Sequence, residues 1–413
     1  MPGARDRAGR LTARAGIVAL LAAAASAFMT APASAAACTP APRASLVGCN
    51  FHNADLHGRD LHGADLTRAN LSNANLTGAK LTGATVSRTN FAGAKLRALV
   101  SGRLKGTPAR LPAHWSLRGN GWLLGPGVNA SAADLRGADL RGVDLTGANL
   151  ARTRLSKSNL AGATLTGADA HHAGFVSAKL DHANFTDAKL VASNFHPASL
   201  VGTNLTRANL SSADMYGANT KGARLTGANL TGARLYRVRS GGIVGTPAKL
   251  PAYWLLIRGY LVGPGADLAN ANLQGANLSK ATLAGVVSGG ITGTPTALPP
   301  RWSIVSGYLV GPGTNLSRAD VSGIDMHGLN LHKAFFELTN LTGANLAGAR
   351  LDLTHFADAN LTNADLSNTN LTGADLSDAT TTGADFTGAA WSNTTCPDGS
   401  NSDTVGDTCA GHL

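Results

Sequence analysis

The sequence predicts an all-β solenoid, and three observations lead to it. An apolar residue recurs every five positions, threonine recurs every twenty, and the composition is unlike that of an ordinary globular protein of 413 residues. Glycine contributes 50 residues, while only 5% of residues are aromatic and 14% are charged. A conventional core of this size usually holds more large aromatics, so the periodicity determines the fold prediction.

The five-residue period defines the structural unit. Leu, Phe or Val recurs at every fifth position from Leu46 to Leu96, and a small residue, usually Ala, stands two positions before each except Leu61, where Arg59 takes this place. This A-(D/N)-L-x-x unit resumes over Leu135–Leu235, Leu268–Leu283 and Leu316–Trp391. Residues two apart point to one face of an extended chain, and the Gly that often follows Leu favours a turn. Each unit is therefore predicted to be a short extended side followed by a corner.

The twenty-residue period predicts four units per turn and a quadrilateral cross-section. In the longest block, threonine fills every position of one phase after Leu: Thr146, Thr166, Thr186, Thr206 and Thr226. A weaker echo follows in the last block: Ser322, Thr342, Thr362 and Thr382. Opposite charges also stand twenty apart: Asp60 and Lys80, Asp134 and Arg154, Asp169 and Lys189, Asp214 and Arg234. Asp365 and Asp385 break this rule. The array is expected to form about 13 coils and a rod of roughly 60 Å.

Runs such as Ala64-Asp65-Leu66-Thr67-Arg68-Ala69-Asn70-Leu71 resemble the pentapeptide-repeat family. The resemblance implies a right-handed, four-sided parallel β-helix. Known members of that family include bacterial proteins that mimic DNA and protect topoisomerases, and many members have no assigned role.

Residues 1–35 are predicted to be a signal peptide. A positive region with Arg5 and Arg14 precedes a short apolar run, and Ala33-Ser34-Ala35 is an A-x-A cleavage site. The run is too short for a transmembrane helix, so we expect cleavage after Ala35, no membrane span in the mature chain and a secreted or extracellular protein. The alternative is a lipoprotein anchored at Cys38.

The four cysteines allow three pairings. In a rigid rod the two ends of the array are far apart, so only the local disulfides Cys38–Cys49 and Cys396–Cys409 are geometrically available. We therefore expect a disulfide N-terminal cap at 36–50, the β-helix at 51–391 and a disulfide C-terminal cap at 392–413.

Three related inserts interrupt the array at about 97–130, 236–267 and 284–315. Each has the form GTPxxLPxxW, a turn, then (Y/W)L(V/L)GPG, which predicts a β-hairpin. The candidate partner-binding aromatics are Trp115, Trp122, Trp254, Tyr260, Trp302 and Tyr308. Their rings could pack against the solenoid or remain exposed to bind sugar rings or a partner. If the inserts are looped out, the second and third should leave the same side of the rod.

No catalytic or metal site is predicted. The sequence has no G-x-S-x-G elbow and no P-loop. Its carboxylates are distributed one per unit on a convex rod, where no cleft would raise a pKa. None of the twelve histidines stands twenty residues from another, so no ligand set converges. These features predict a protein that is not an enzyme and uses no cofactor.

Charge and export favour a binding or scaffold role. The formal charge is +11, and four Arg and one Asp in residues 1–35 contribute +3, which leaves +8. A basic exported protein suits anionic or glycan polymers of the cell envelope, or another protein, as partners. A topoisomerase-protecting DNA mimic is disfavoured because mimicry needs an acidic surface in the cytoplasm, and nucleic acid is a disfavoured partner. The threonine column leaves an ice- or carbohydrate-binding solenoid as a further alternative.

Overall fold

The computed structural model describes residues 38–413, so the predicted signal peptide and its cleavage site lie outside the described residues. Most extended segments contribute one residue each to a parallel bridge. The longer strands form three antiparallel pairs: β1 (Ser116–Arg118) with β2 (Trp122–Leu124), β3 (Leu255–Ile257) with β4 (Tyr260–Val262), and β5 (Ser303–Val305) with β6 (Tyr308–Val310). A 3-10 turn covers Ser402–Thr404.

Every unit turns its corner in the same way. In one example the amide of Ala69 donates to the carbonyl of Leu66 over 2.9 Å, and Arg68 between them has a φ of 58°. A positive φ at the third residue of a four-residue turn favours glycine or asparagine. At the equivalent Gly147, with a φ of 62°, an added Cβ would meet nothing within 4 Å. Backbone conformation, and not crowding, therefore explains the glycine at such corners.

The Asp or Asn before each Leu stabilises the following turn. The Asp65 side chain accepts a hydrogen bond from the amide of Thr67 at 2.9 Å, and Asn70 accepts one from the amide of Ser72 at 3.2 Å. Short side chains of this kind commonly bond to the backbone two residues ahead. The second position of the unit is thus selected for this bond.

Parallel bridges join residues twenty positions apart, so one turn of the solenoid contains four five-residue units. An unbroken ladder runs from Asp60 to Lys249 through ten positions, and a second ladder continues from Arg239 to Thr395 through seven more. The described chain therefore makes about 17 turns, which at ~4.8 Å each is ~80 Å. The sequence-based figure of about 13 coils was too low because it counted only regular blocks, whereas the insert segments also form turns.

The interior is filled by the Leu, Phe and Ala columns. Leu66, Leu165 and Leu361 are fully buried, and Phe175 stacks on Phe195 with ring centres 4.9 Å apart. The buried residues form three clusters, which meet between Leu123 and Leu124 and between Leu309 and Val310. Among residues 38–413, no helix has the length and apolarity needed to cross a membrane.

Candidate binding surface

The inserts lengthen single turns without interrupting the solenoid. Bridges join Val100 to Asn129, Arg239 to Asp267 and Val287 to Asn315. These spacings are 29, 28 and 28 residues, so eight or nine residues are added to a twenty-residue turn. The second and third inserts lengthen two turns of one ladder, 239–267 and 287–315, that are separated by the regular turn 267–287, and they therefore start from the same side of the rod.

The added residues form the antiparallel pairs β1–β2, β3–β4 and β5–β6, which cross the interior. The tip of the first pair reaches the chain on the far side of the turn, where the amide of Leu104 donates to the carbonyl of Gly121 over 3.1 Å. Ile243 donates in the same way to Gly259 at 3.0 Å, and Ile291 to Gly307 at 2.9 Å. We call these three pairs the crossbars.

Both faces of a crossbar are buried in the core. Leu123 packs in the cluster before the first crossbar and Leu124 in the cluster after it, and both are fully buried. Leu309 and Val310 separate two clusters in the same way. The inserts therefore do not loop out of the rod, because consecutive apolar residues in β2 and β6 have core on both sides.

A serine fixes each crossbar at the point where it passes the preceding turn. The serine hydroxyl accepts a hydrogen bond from a crossbar amide in all three copies: Ser101 from Leu123 (3.1 Å), Ser240 from Leu261 (2.9 Å) and Ser288 from Leu309 (3.0 Å). Sequence reasoning missed this serine, although a Ser-Gly pair begins five residues before the GTP motif in every copy. The conserved spacing within the chain was the available signal.

The six candidate aromatics pack against glycines of the crossbar turns. At the first glycine of each GPG, an added Cβ would lie 2.2–2.5 Å from the nearest Trp atom. At the glycine that follows each serine, it would lie about 3 Å from the second aromatic of the insert. The pairs are Trp115 with Gly125, Trp254 with Gly263, Trp302 with Gly311, Trp122 with Gly102, Tyr260 with Gly241 and Tyr308 with Gly289. Trp254 is 9% exposed and the other five rings are half-buried. Their contacts are with the chain itself, which favours a packing role.

Tyr253, which sequence reasoning did not single out, is the aromatic that the second insert exposes. Its side chain is 75% exposed, directly beside the buried Trp254. The first and third inserts carry His114 and Arg301 at this position, also exposed and also with positive φ.

A groove opens where the second crossbar reaches the surface. It encloses about 590 Å³ and is lined by Lys221, Arg239, Asp267 and Tyr260 together with asparagine and glycine residues. Arg239 Nε contacts Asp267 Oδ2 at 2.8 Å, whereas Lys221 is exposed and forms no salt bridge within residues 38–413. The groove therefore presents positive charge and hydrogen-bond donors beside a tyrosine ring.

The charges of the rod fall into blocks. Residues 66–133, basic belt 1, contain nine Lys or Arg and no Asp or Glu; residues 215–319, basic belt 2, contain ten and one. Between them, the balanced segment 134–214 contains eight positive and seven negative residues. The acidic segment 320–413 contains two Lys or Arg and twelve Asp or Glu. The net charge of the whole chain does not reveal this distribution. Counting charges segment by segment along the sequence would have revealed it.

Internal ion pairs are concentrated outside belt 1. Of the four predicted pairs twenty residues apart, Asp134 with Arg154 (3.4 Å) and Asp214 with Arg234 (3.3 Å) lie within ion-pair distance. The hydrogen bonds from Arg136 lower the pKa of Asp134 to about 2, and Arg141 lowers that of Asp139 to about 2 in the same way. None of the nine belt 1 cations forms a salt bridge within residues 38–413.

A family model for pentapeptide repeats matches the chain in overlapping segments that together cover 43–97, 127–239, 264–287 and 313–378. These segments exceed half of the chain. The chain belongs to the pentapeptide-repeat family. Membership makes the solenoid a right-handed β-helix, and the three gaps between matched segments contain the three crossbars.

Solved pentapeptide-repeat structures show similarity without close superposition. HetL of the cyanobacterium Nostoc, described as involved in heterocyst differentiation regulation, is 27% identical over 67% of this chain and 92% of its own, with a TM-score of 0.27. A trypsin-treated form of QnrB1, a plasmid-mediated fluoroquinolone resistance protein, is 12% identical over 85% of this chain and 91% of its own, with a TM-score of 0.20. A thylakoid-lumen protein of Arabidopsis thaliana is 31% identical over 25% of this chain and 66% of its own, with a TM-score of 0.16. No curated protein matched the sequence.

The ends of this pentapeptide-repeat rod carry the four cysteines. Cys38 is bonded to Cys49 and Cys396 to Cys409, with Cα atoms 5.8 and 5.5 Å apart. At the C-terminal end Trp391 packs against Phe386, with ring centres 5.3 Å apart. Within residues 38–413 no group of three potential metal ligands converges.

Proposed function

We propose that this pentapeptide-repeat protein is a non-enzymatic, exported scaffold of the cell envelope or extracellular medium that binds an anionic polymer along a four-sided rod. The single observation that carries the binding role is basic belt 2, which has ten cations and one carboxylate and in which Lys221 and Arg239 line the groove at the crossbar tip. A polyanion gains from many such cations together, because each contact releases counterions.

The arrangement of belt 2 supports a polymer in preference to a small ligand. Lys221, Arg224 and Arg237 are exposed in the two turns before the second crossbar, and Arg258 extends from the crossbar tip. Cations distributed over several turns of a rod can contact successive negative charges of one chain. Tyr260 at the groove wall adds a surface against which a sugar ring could pack.

The alternatives receive less support. DNA mimicry would require acidic charge over the rod, whereas 38–319 carry 29 Lys or Arg and 11 Asp or Glu. Ice binding would require a flat array, and the threonine column is a single line of residues, of which Thr186 and Thr206 donate their hydroxyls to Asn184 and Asn204 at 2.7 and 2.6 Å.

The test uses the purified protein and two polyanions of different chemistry, polyphosphate and polygalacturonate. Replacing Lys221, Arg224 and Arg237 with Glu should weaken binding ~10-fold or more and reduce its salt dependence. The matched control replaces Lys157, Lys179 and Lys189 of the balanced segment with Glu, which gives the same change in net charge. Equal loss in both variants, or no binding by the unmodified protein at low salt, would refute the proposal.

Export is tested separately. Residues 1–36 fused to a reporter that is active only outside the cytoplasm should direct its export, and the exported protein should begin at Ala36. Retention in the cytoplasm would remove the exported part of the proposal.

A further inference from the structure

Nine of the twelve carboxylates of the acidic segment, and all nine cations of basic belt 1, form no salt bridge within residues 38–413. Among the carboxylates of the acidic segment, Asp352 pairs with Arg350, while Asp325, Asp352 and Asp398 contact histidines. Asp365 and Asp385 are bridged directly, one above the other, although like charges in that position repel. The nine cations of belt 1 have no carboxylate partner in the described part of the chain, 38–413. Two blocks of opposite charge are thus available for contact with another molecule.

Their positions along the rod are complementary. Belt 1 covers the ladder positions Asn70, Asn90 and Arg110, which are the second to fourth turns from the N-terminal end. The acidic segment covers the last four positions, from Phe335 to Thr395. Suppose that two rods lie side by side in opposite directions with full overlap. The second to fourth turns from the N-terminal end of one copy then face the second to fourth turns from the C-terminal end of the other. Belt 1 of one copy then faces the acidic segment of the other.

We propose that this protein forms an antiparallel side-by-side dimer in which the acidic segment 320–413 of each copy lies along basic belt 1, 66–133, of the other. The same overlap places belt 2 beside the balanced segment, which avoids contact between two basic regions. A parallel pair would align like charges throughout. End-to-end contact would set the acidic end against residues 38–65, which carry two positive and three negative charges.

The available surface is large enough for a stable pair. About 17 turns of ~4.8 Å and a side of about three residues give a face of roughly 80 by 10 Å. This is about 800 Å² per partner, which is the size of an ordinary specific interface. An antiparallel pair is also closed by a two-fold axis, and each contact occurs twice. Because charge supplies the attraction, the association should depend strongly on salt.

The first measurement needs no variant. Sedimentation of the purified protein should give the mass of two chains at about 0.05 M salt, with the dissociation constant rising ~10-fold or more by about 0.5 M. Carbodiimide treatment should join Lys95 or Lys105, on the two sides next to the contact, to carboxylates of the acidic segment. These groups are more than ~45 Å apart within one rod, so such links must be intermolecular. A monomer at every salt concentration would overturn the proposal. Cross-links that never join a belt 1 lysine to the acidic segment would overturn it as well.

Charge exchange provides the second test. Arg68 and Arg88 in belt 1, and Asp358 and Asp378 in the acidic segment, are exposed corner residues twenty apart with φ of 55–58°. Arg68→Asp/Arg88→Asp and Asp358→Arg/Asp378→Arg should each weaken the dimer ~10-fold or more, and mixing the two variants should restore association. Circular dichroism confirms folding. If neither variant weakened the dimer, the proposed antiparallel arrangement would be wrong. A failure of belt 2 to bind polymer would not affect this proposal.

Discussion

The regular turns of residues 134–239 and the turns that carry the crossbars use the same unit but fill their interiors differently. In the regular turns, Leu, Phe and Ala from four sides meet at the axis. In the crossbar turns, eight or nine added residues pass through the interior, with Trp and Tyr rings held against glycines. The comparison shows that a pentapeptide-repeat solenoid can take up an insert inside its core while the external ladder continues.

The largest expected effect concerns two neighbouring aromatics of the second crossbar. Trp254→Ala should lower the free energy of unfolding by about 3–5 kcal/mol, because the ring is 9% exposed and its loss leaves a cavity. Tyr253→Ala, the control, should change it by less than about 0.5 kcal/mol, because Tyr253 is 75% exposed. Denaturant melts of both variants would measure this, and equal effects would mean that the crossbar is not part of the core.

A smaller effect is expected from the serine that fixes the crossbar. Ser240→Ala leaves the amide of Leu261 without its acceptor and should cost about 1–3 kcal/mol. Ser211 in a regular turn is also half-buried, and its hydroxyl makes no hydrogen bond within residues 38–413. Ser211→Ala should therefore change stability by less than about 0.5 kcal/mol. Thermal melts compare the two variants. If Ser240→Ala does not lower the stability, the serine does not hold the crossbar in place.

The smallest effect is electrostatic and lies at the boundary between the two kinds of turn. Arg141 holds the pKa of Asp139 at about 2, with a lesser contribution from Arg118 at the first crossbar tip. Because the folded pKa is below the unfolded value, any associated stability is present above pH 3.8 and is lost as pH falls toward 2. Carboxyl NMR titration should show a clear rise of this pKa in Arg141→Ala and a slight rise in Arg118→Ala. The reverse order would contradict the assigned geometry.

Much of the fold was predictable because the residues of each five-residue unit determine its extended side and its turn. The threonine period gave the turn length that the bridges show, and the turn residues between apolar runs gave the antiparallel pairs. The position of the crossbars was not predicted. Consecutive apolar residues such as Leu123 and Leu124 indicate a strand buried on both faces, but a sequence does not say which two surfaces will enclose it.

The candidate aromatics show a similar limit. Their recurrence marked the inserts correctly, yet periodicity does not distinguish a ring packed on glycine from an exposed one. The charge blocks were present in the sequence throughout, but their meaning depends on distance along the rod. That distance became available only when the ladder fixed how many turns separate Arg68 from Asp378.

The crossbars also divide the molecule in a way that bears on how it comes apart. A solenoid held by nearest-neighbour contacts can fray progressively from an open end. Here the first and third crossbars separate three apolar clusters, and each must be expelled from the interior before fraying can pass it. Pulling or proteolysis from either end should therefore meet discrete barriers, so that the rod unfolds in a few large steps, one apolar cluster at a time.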